Sequence, residues 1–73
     1  MHINEFEKDI GKFVTLSYKA ADGTPKFAQG RLDSINEGFL IIVNNKNPEK
    51  IRRVNPEEVT ISDYSSEPLE VRQ

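Results

Sequence analysis

The sequence contains no cysteine. Disulfide bonds and cysteine-ligated zinc sites are therefore excluded. A secreted domain of 73 residues usually needs disulfides, because so short a chain buries only about 60% of its surface on folding. The absence of cysteine therefore favours a reducing compartment, and we expect a cytoplasmic protein.

Long apolar runs are also absent. The longest run covers residues 39–43, whereas a membrane-spanning helix needs about 20 apolar residues. Residues 1–5 lack the basic and apolar regions of a signal peptide. We therefore expect no association with a membrane.

Signals of catalysis are few. The single histidine, His2, stands beside the N-terminus with no metal-binding or catalytic motif around it. Asp33 and Glu37 flank a turn, but no nucleophile accompanies them. The sequence has no glycine-rich phosphate loop, no nucleophile elbow and no metal-ligand spacing. We expect a non-enzymatic protein without catalytic residues, metal or cofactor.

The overall charge is weakly negative. Lysine and arginine number 10 and the acidic residues 12, which gives a formal net charge of -2. A protein that coats nucleic acid without sequence preference is normally basic. The charge argues against that role, but it leaves room for a local basic patch or a ring assembly.

The N-terminal segment has the pattern of a short helix. Asn4 can cap a helix, and Gly11 suits the left-handed position just after one. Phe6 and Ile10 fall on one helical face. The pattern predicts a helix over residues 4–10, which must pack against the rest of the fold because a helix this short is unstable alone.

The remaining pattern predicts five strands. Gly30 interrupts the second strand, as at a sharp bend or barrel corner. The third strand is apolar at every position, which predicts that both of its faces are covered. A helical turn, capped by Asn55 with Pro56 at its first position, precedes the last strand. The predicted strands cover residues 12–20, 26–36, 39–43, 50–54 and 59–62.

These elements predict one domain. Five short, strongly bent antiparallel strands would close into a small barrel. The expected fold class is therefore mostly β, a small five-stranded antiparallel barrel behind a short N-terminal α-helix. We expect the domain to span residues 1–64, with a flexible C-terminal tail over residues 65–73.

This layout resembles the Sm-like family. Residues 10–16 look like the helix end and first strand of that fold. Residues 30–40 are similar to its second strand, with a glycine-x-leucine bend, and to the turn into the third strand. Residues 51–54 and 59–61 look like its last two strands. Sm-like proteins form rings and bind single-stranded RNA, often rich in uridine, so the resemblance implies RNA binding and a homo-oligomer.

The family's uridine pocket does not carry over to this sequence. Asn36 stands where the family has an acidic residue, and Leu40 where it has the asparagine that contacts the base. The tyrosine-lysine-histidine element of the bacterial RNA chaperone is missing. Arg53 replaces a glycine of the second motif, so only Arg52 matches a binding position of the family.

Two other families of small barrels look similar. They are the C-terminal barrel of the bacterial ribosome-maturation factor and the Src-homology-3-type adaptors. Members of both can dock proteins rather than RNA, and the fold alone does not choose between these functions.

The densest basic cluster contains Lys50, Arg52 and Arg53. Together with Lys46 in the preceding loop, it could form a basic edge that binds phosphates. It could also be a solvated edge strand whose charges discourage pairing between sheets. Phe27 is the aromatic residue most expected to be exposed, and could stack on a base or contact the helix or another subunit.

Two functions follow from these observations. The first is a non-catalytic, Sm-like module that binds single-stranded RNA, as a ring or other homo-oligomer. The second is a barrel that docks another protein and has no affinity for nucleic acid.

Overall fold

The computed structural model describes residues 4–68. A short helix, α1, precedes five strands of one antiparallel sheet. This confirms the mostly-β fold class with an N-terminal helix. Within the described residues, no helix is long and apolar enough to cross a membrane. The elements are α1 Asn4–Glu7, β1 Phe13–Lys19, β2 Pro25–Asn36, β3 Phe39–Val43, β4 Ile51–Val54 and β5 Ser65–Glu67.

The strand order is β4-β3-β2-β1-β5, so β4 and β5 lie at opposite edges of the sheet. The sheet therefore does not close into the barrel that we expected. A single bridge between Tyr18 and Val59 joins the end of β1 to the segment after β4. Closure stops there because β4 ends at Val54 and the chain turns into a 3₁₀ helix, Pro56–Glu58.

Strand β2 is shared between two parts of the sheet. Its first half pairs with β1, where Val14 faces Gly30. Its second half pairs with β3, beginning where Arg31 faces Val43. At Gly30, φ is +155°, and a Cβ atom there would lie 2.3 Å from the carbonyl oxygen of Val43. Only glycine permits this approach, and β2 acquires its second partner directly after it.

The hydrophobic core lies against one face of the sheet. In β3, Leu40 and Ile42 are buried, whereas the alternate residues are only half-buried. Within the described chain, the second face of β3 is therefore only partly covered, which is less than the sequence predicts. The core consists of Phe6, Val14, Leu16, Ala28, Leu32, Leu40, Ile42, Val54 and Val59.

The N-terminal helix is shorter than predicted. It ends at Glu7 because the next backbone N–H groups bond three residues back, Asp9 to Phe6 and Ile10 to Glu7. These tighter turns rotate Ile10 away from the core and leave it 44% exposed. Gly11 has the positive φ expected of a residue that ends such a segment.

The C-terminal segment also differs from the prediction. Residues 59–62 do not form a strand: Val59 makes one bridge, and a second 3₁₀ helix covers Ile61–Asp63. The last strand is β5, which pairs with β1 and lies within the segment predicted as a tail. The predicted helical turn after Asn55 is confirmed, since the Asn55 side chain accepts a hydrogen bond from the N–H of Glu57. His2 and residues 69–73 lie outside the described residues.

A buried carboxylate connects the two ends of the domain. Asp9 is only 2% exposed, and the Tyr64 hydroxyl donates to its Oδ2 at 2.6 Å. Lys12 Nζ lies 3.4 Å from Asp9 Oδ1. The Tyr64 ring meets the Phe6 ring edge-on, with centroids 5.1 Å apart. These contacts hold α1 against the segment that enters β5.

The surroundings of this pair perturb both acids. Burial alone would raise the pKa of Asp9, but hydrogen bonds from Tyr64 and Ser66 and the ion pair with Lys12 hold that pKa below its ordinary value. Burial and the hydrogen bond to Asp9 raise the pKa of Tyr64 well above its ordinary value. Folding therefore favours the charged carboxylate and the neutral phenol.

We expect Gly30→Ala to destabilise the fold by at least about 3 kcal/mol, because the added methyl group would collide with the Val43 carbonyl. Gly23→Ala is the matched control. Gly23 also has a positive φ, but nothing lies within 4 Å of its Cβ position, so we expect a cost of about 1–2 kcal/mol. Urea unfolding measures both, and equal costs would contradict the proposed close approach.

We expect Tyr64→Phe to cost on the order of 2 kcal/mol near neutral pH, because it removes a hydrogen bond to a charged group. The pKa of Asp9 is lowered on folding, so its stabilising contribution is complete above the unfolded value of 3.8 and is lost as the pH falls further. The stability difference between the wild type and Tyr64→Phe should therefore narrow below that pH. A difference that stays constant under acid unfolding would show that Asp9 is not the partner.

Candidate functional site

An open groove lies between the first half of β2 and strand β4. Its volume is about 700 Å³. Of the five site residues predicted from sequence, Phe27, Lys50, Arg52 and Arg53 line it, and Lys46 does not. The other lining residues are Ala28, Gln29, Ile42, Asn44, Glu49 and Ile51.

The groove exists because two strands present open edges to each other. Strand β3 pairs with β2 only from Arg31 onward, so the first half of β2 has β1 on one side and no strand on the other within the described residues. Strand β4 is the edge of the sheet. The two open edges form opposite walls of the groove.

The backbone of both walls points into the open space. The Asn44 N–H donates to the Lys50 carbonyl at 3.0 Å, and residues of an antiparallel strand alternate in the side to which they bond. The N–H and C=O groups of Ile51 and Arg53 therefore point away from β3. The same alternation along β1 and β2 turns the backbone of Phe27 and Gln29 away from β1.

Two large apolar side chains project at the groove. Phe27 is 57% exposed and Ile51 is 61% exposed, and they belong to opposite walls. The prediction that Phe27 is an exposed aromatic is confirmed. Exposed apolar side chains grouped at one surface feature are typical of a binding site rather than of a free surface.

The cations of the groove differ in how they are held. Lys50 forms no ion pair with any acid among residues 4–68. Arg52 Nη1 donates to the Tyr18 hydroxyl at 3.2 Å, a bond that connects β4 to the end of β1. Neither Lys50 nor Arg52 forms an ion pair within the described chain, although Glu49 lines the same groove.

Arg53 is held on the other face of β4. Its guanidinium carbon lies 4.7 Å from the centre of the Phe39 ring, and its Nη2 lies 3.8 Å from Glu37 Oε1. Arg52 and Arg53 thus make their contacts on opposite faces of β4, as neighbouring residues of a strand do. Three cations line the groove, and Arg53 is the least available of them for binding a ligand.

Lys46 lies at a smaller adjoining groove of about 210 Å³. The two grooves share Gln29 and Asn44 as walls. The Asn44 Oδ1 accepts hydrogen bonds from the N–H groups of Lys46 and Asn47, each at 2.8 Å. This side chain therefore shapes the loop that places Lys46 next to the main groove.

A third groove begins on the other side of Phe27 and has a different charge. Its volume is about 630 Å³. Two lysines and three acidic residues line it, so it does not continue the positive surface. Its charged residues are Lys19, Lys26, Glu57, Glu58 and Asp63.

The polar groups of the main groove can form ion pairs and hydrogen bonds with a ligand. They are cations, amides and backbone groups, with Glu49 as the one acidic side chain of the groove. Across residues 4–68, no group of three or more histidine, cysteine or acidic residues could hold a metal. The Asp9–Tyr64 pair has shifted pKa values, but it lies outside this groove and connects the ends of the domain.

The sequence alone did not reveal several residues of the site. Gln29 could have been found, because it lies two residues from Phe27 and so shares its side of β2. The sequence predicts a strand at Ile51, but the residues next to it in the sequence do not indicate that its side chain stays exposed. Asn44 and the Tyr18 hydroxyl join the site through long-range contacts that local patterns do not encode.

Comparison with known proteins gives no match to a family model, to a curated protein or to a solved structure. The resemblance to the Sm-like family stays a prediction, and the function has to be argued from the groove itself.

Proposed function

We propose that this chain is a non-catalytic module that binds single-stranded RNA in the main groove. The observation that carries the proposal is an exposed aromatic, Phe27, that shares the groove with two cations of the facing wall, Lys50 and Arg52. Neither cation forms an ion pair among residues 4–68. An aromatic face and nearby cations are the two groups that single-strand binders combine.

Each group would bind a different part of the RNA. A base stacked on Phe27 contributes about 1–3 kcal/mol and needs no particular sequence. Lys50 and Arg52 would bind phosphates and so fix the path of the backbone. Lys46 would bind a further phosphate beyond the wall that the two grooves share. The acidic third groove would repel phosphates, so the RNA would run from Phe27 toward Lys46.

A divergent Sm-like identity is part of this proposal. The N-terminal helix, the glycine in the second strand and the 3₁₀ turn after the fourth strand support it, and Arg52 occupies a binding position of that family. The open edge of β4 offers backbone groups to a neighbouring subunit, which supports a homo-oligomer. A cytoplasmic location is also part of the proposal.

One observation favours a protein partner instead. Both walls of the groove carry backbone N–H and C=O groups that point into open space. An extended peptide could add to either edge as a further strand, with its alternate side chains at Phe27 or Ile51. In this second candidate function, the cations would favour an acidic peptide.

We expect labelled uridine-rich and adenine-rich RNA to bind with a strong dependence on salt. With about three phosphate contacts, affinity should fall roughly tenfold to twentyfold between about 50 mM and about 200 mM salt. Fluorescence anisotropy measures this, and the native mass measures the oligomeric state. Absence of salt-dependent RNA binding by the folded protein would refute the proposal. The second candidate function, binding of an extended peptide, would then remain.

Variants of the groove should separate stacking from charge. We expect Phe27→Ala to weaken binding at every salt concentration, because stacking is not ionic. Lys50→Ala should weaken binding and lower the salt slope by about 0.7, the contribution of one phosphate contact to a single strand. Lys8→Ala removes an equal charge outside the groove and should change neither quantity. A Lys8 variant with the same loss as the Lys50 variant would point to a general charge effect.

Arg52 needs its own control, because it also contacts Tyr18. Tyr18→Phe removes the hydrogen bond and keeps the cation, so it should lower stability by about 1 kcal/mol or less and preserve RNA affinity. Arg52→Ala should weaken RNA binding. If both variants lose RNA affinity equally, RNA binding depends on the hydrogen bond between Arg52 and Tyr18 and not on the charge of Arg52.

A further inference from the structure

The loop after β3 holds an amide group in one orientation. The Oδ1 atom of Asn44 accepts from two backbone N–H groups, those of Lys46 and Asn47. If the oxygen and nitrogen of this amide were exchanged, both hydrogen bonds would be lost, because the NH₂ group would then face the two backbone N–H groups. The oxygen is therefore used within the loop, and only the Nδ2 donors remain for other contacts.

These donors have no acceptor within the part of the chain that the structure describes. Among residues 4–68, no hydrogen bond is formed by Asn44 Nδ2, although the side chain is half-buried. Asn44 forms part of the wall between the main groove and the Lys46 groove. On the proposed path of the RNA, this wall stands between the cations at Lys50 and at Lys46, where a base would pass.

We propose that Asn44 is a specificity-determining residue that discriminates keto bases from amino bases. This inference rests on the proposed function. A fixed donor forms a hydrogen bond with the O4 of uracil or the O6 of guanine. It meets another donor at the N4 amino group of cytosine or the N6 amino group of adenine. Cytosine and adenine would bind more weakly at this position, because two facing donors are both left without an acceptor.

On the proposed RNA path, the side chains of Lys50 and Phe27 bind features that every nucleotide shares. Lysine binds phosphates that all nucleotides share, and Phe27 stacks on any base. Gln29 lies on the same wall, but no contact within the described chain fixes its amide, so it can present either the oxygen or the nitrogen. Asn44 is the amide of that wall whose polarity the loop determines.

The test compares oligouridine with oligocytidine of equal length by fluorescence anisotropy. The two probes share the same backbone and the same ring size. They differ from each other at C4, where uracil presents a keto oxygen to the donor and cytosine presents an amino group. We expect the wild type to bind oligouridine at least about fivefold more tightly, the effect of one hydrogen bond. Asn44→Asp should abolish this ratio, because the carboxylate keeps both loop hydrogen bonds and supplies no donor.

Asn45→Asp is the matched control. It adds the same charge one residue away, in the wall of the Lys46 groove. We expect it to weaken both probes and keep their ratio. An equal affinity of the wild type for both probes, an unchanged ratio in Asn44→Asp, or the same loss of ratio in Asn45→Asp would overturn the inference and leave RNA binding intact. Failure to bind either probe would instead overturn the proposed function.

Discussion

The close approach of two backbones at Gly30 is the constraint on which the rest of the structure depends. A side chain at this position would collide with the Val43 carbonyl, so the absence of a Cβ atom lets β2 meet β3. One strand can then pair with β1 along its first half and with β3 along its second. The same division leaves the first half of β2 with an open edge. The groove is therefore a consequence of the arrangement that folds the core.

The thin core is supplemented by a polar connection between the turn after α1 and the segment that enters β5. Asp9 is buried beneath Tyr64, whose ring also packs on Phe6. A buried charge is costly unless it is paired and hydrogen-bonded, and here a phenol and a lysine supply both. The N-terminal turn and the segment entering β5 are stabilised together, so the short helix needs no stability of its own.

The charge of the groove differs from the charge of the whole chain. The net charge is -2, yet three cations and one acid line the main groove, whereas three acids and two lysines line the groove beyond Phe27. Such local separation permits an anionic ligand to bind a weakly acidic protein, since screening limits the reach of distant charges to about 10 Å. The direction of the proposed RNA path follows from this separation, and the proposed base selectivity rests on Asn44.

The sequence by itself determined the mostly-β class, the special position of Gly30, the cap at Asn55 and the exposure of Phe27, because each depends on short-range periodicity or backbone geometry. Only the tertiary structure decided that the sheet stays open, that β5 rather than residues 59–62 is the last strand, and that Asn44 shares a wall with Lys50. These outcomes depend on pairings between residues far apart in the chain, and local patterns carry no information about which distant partner is found.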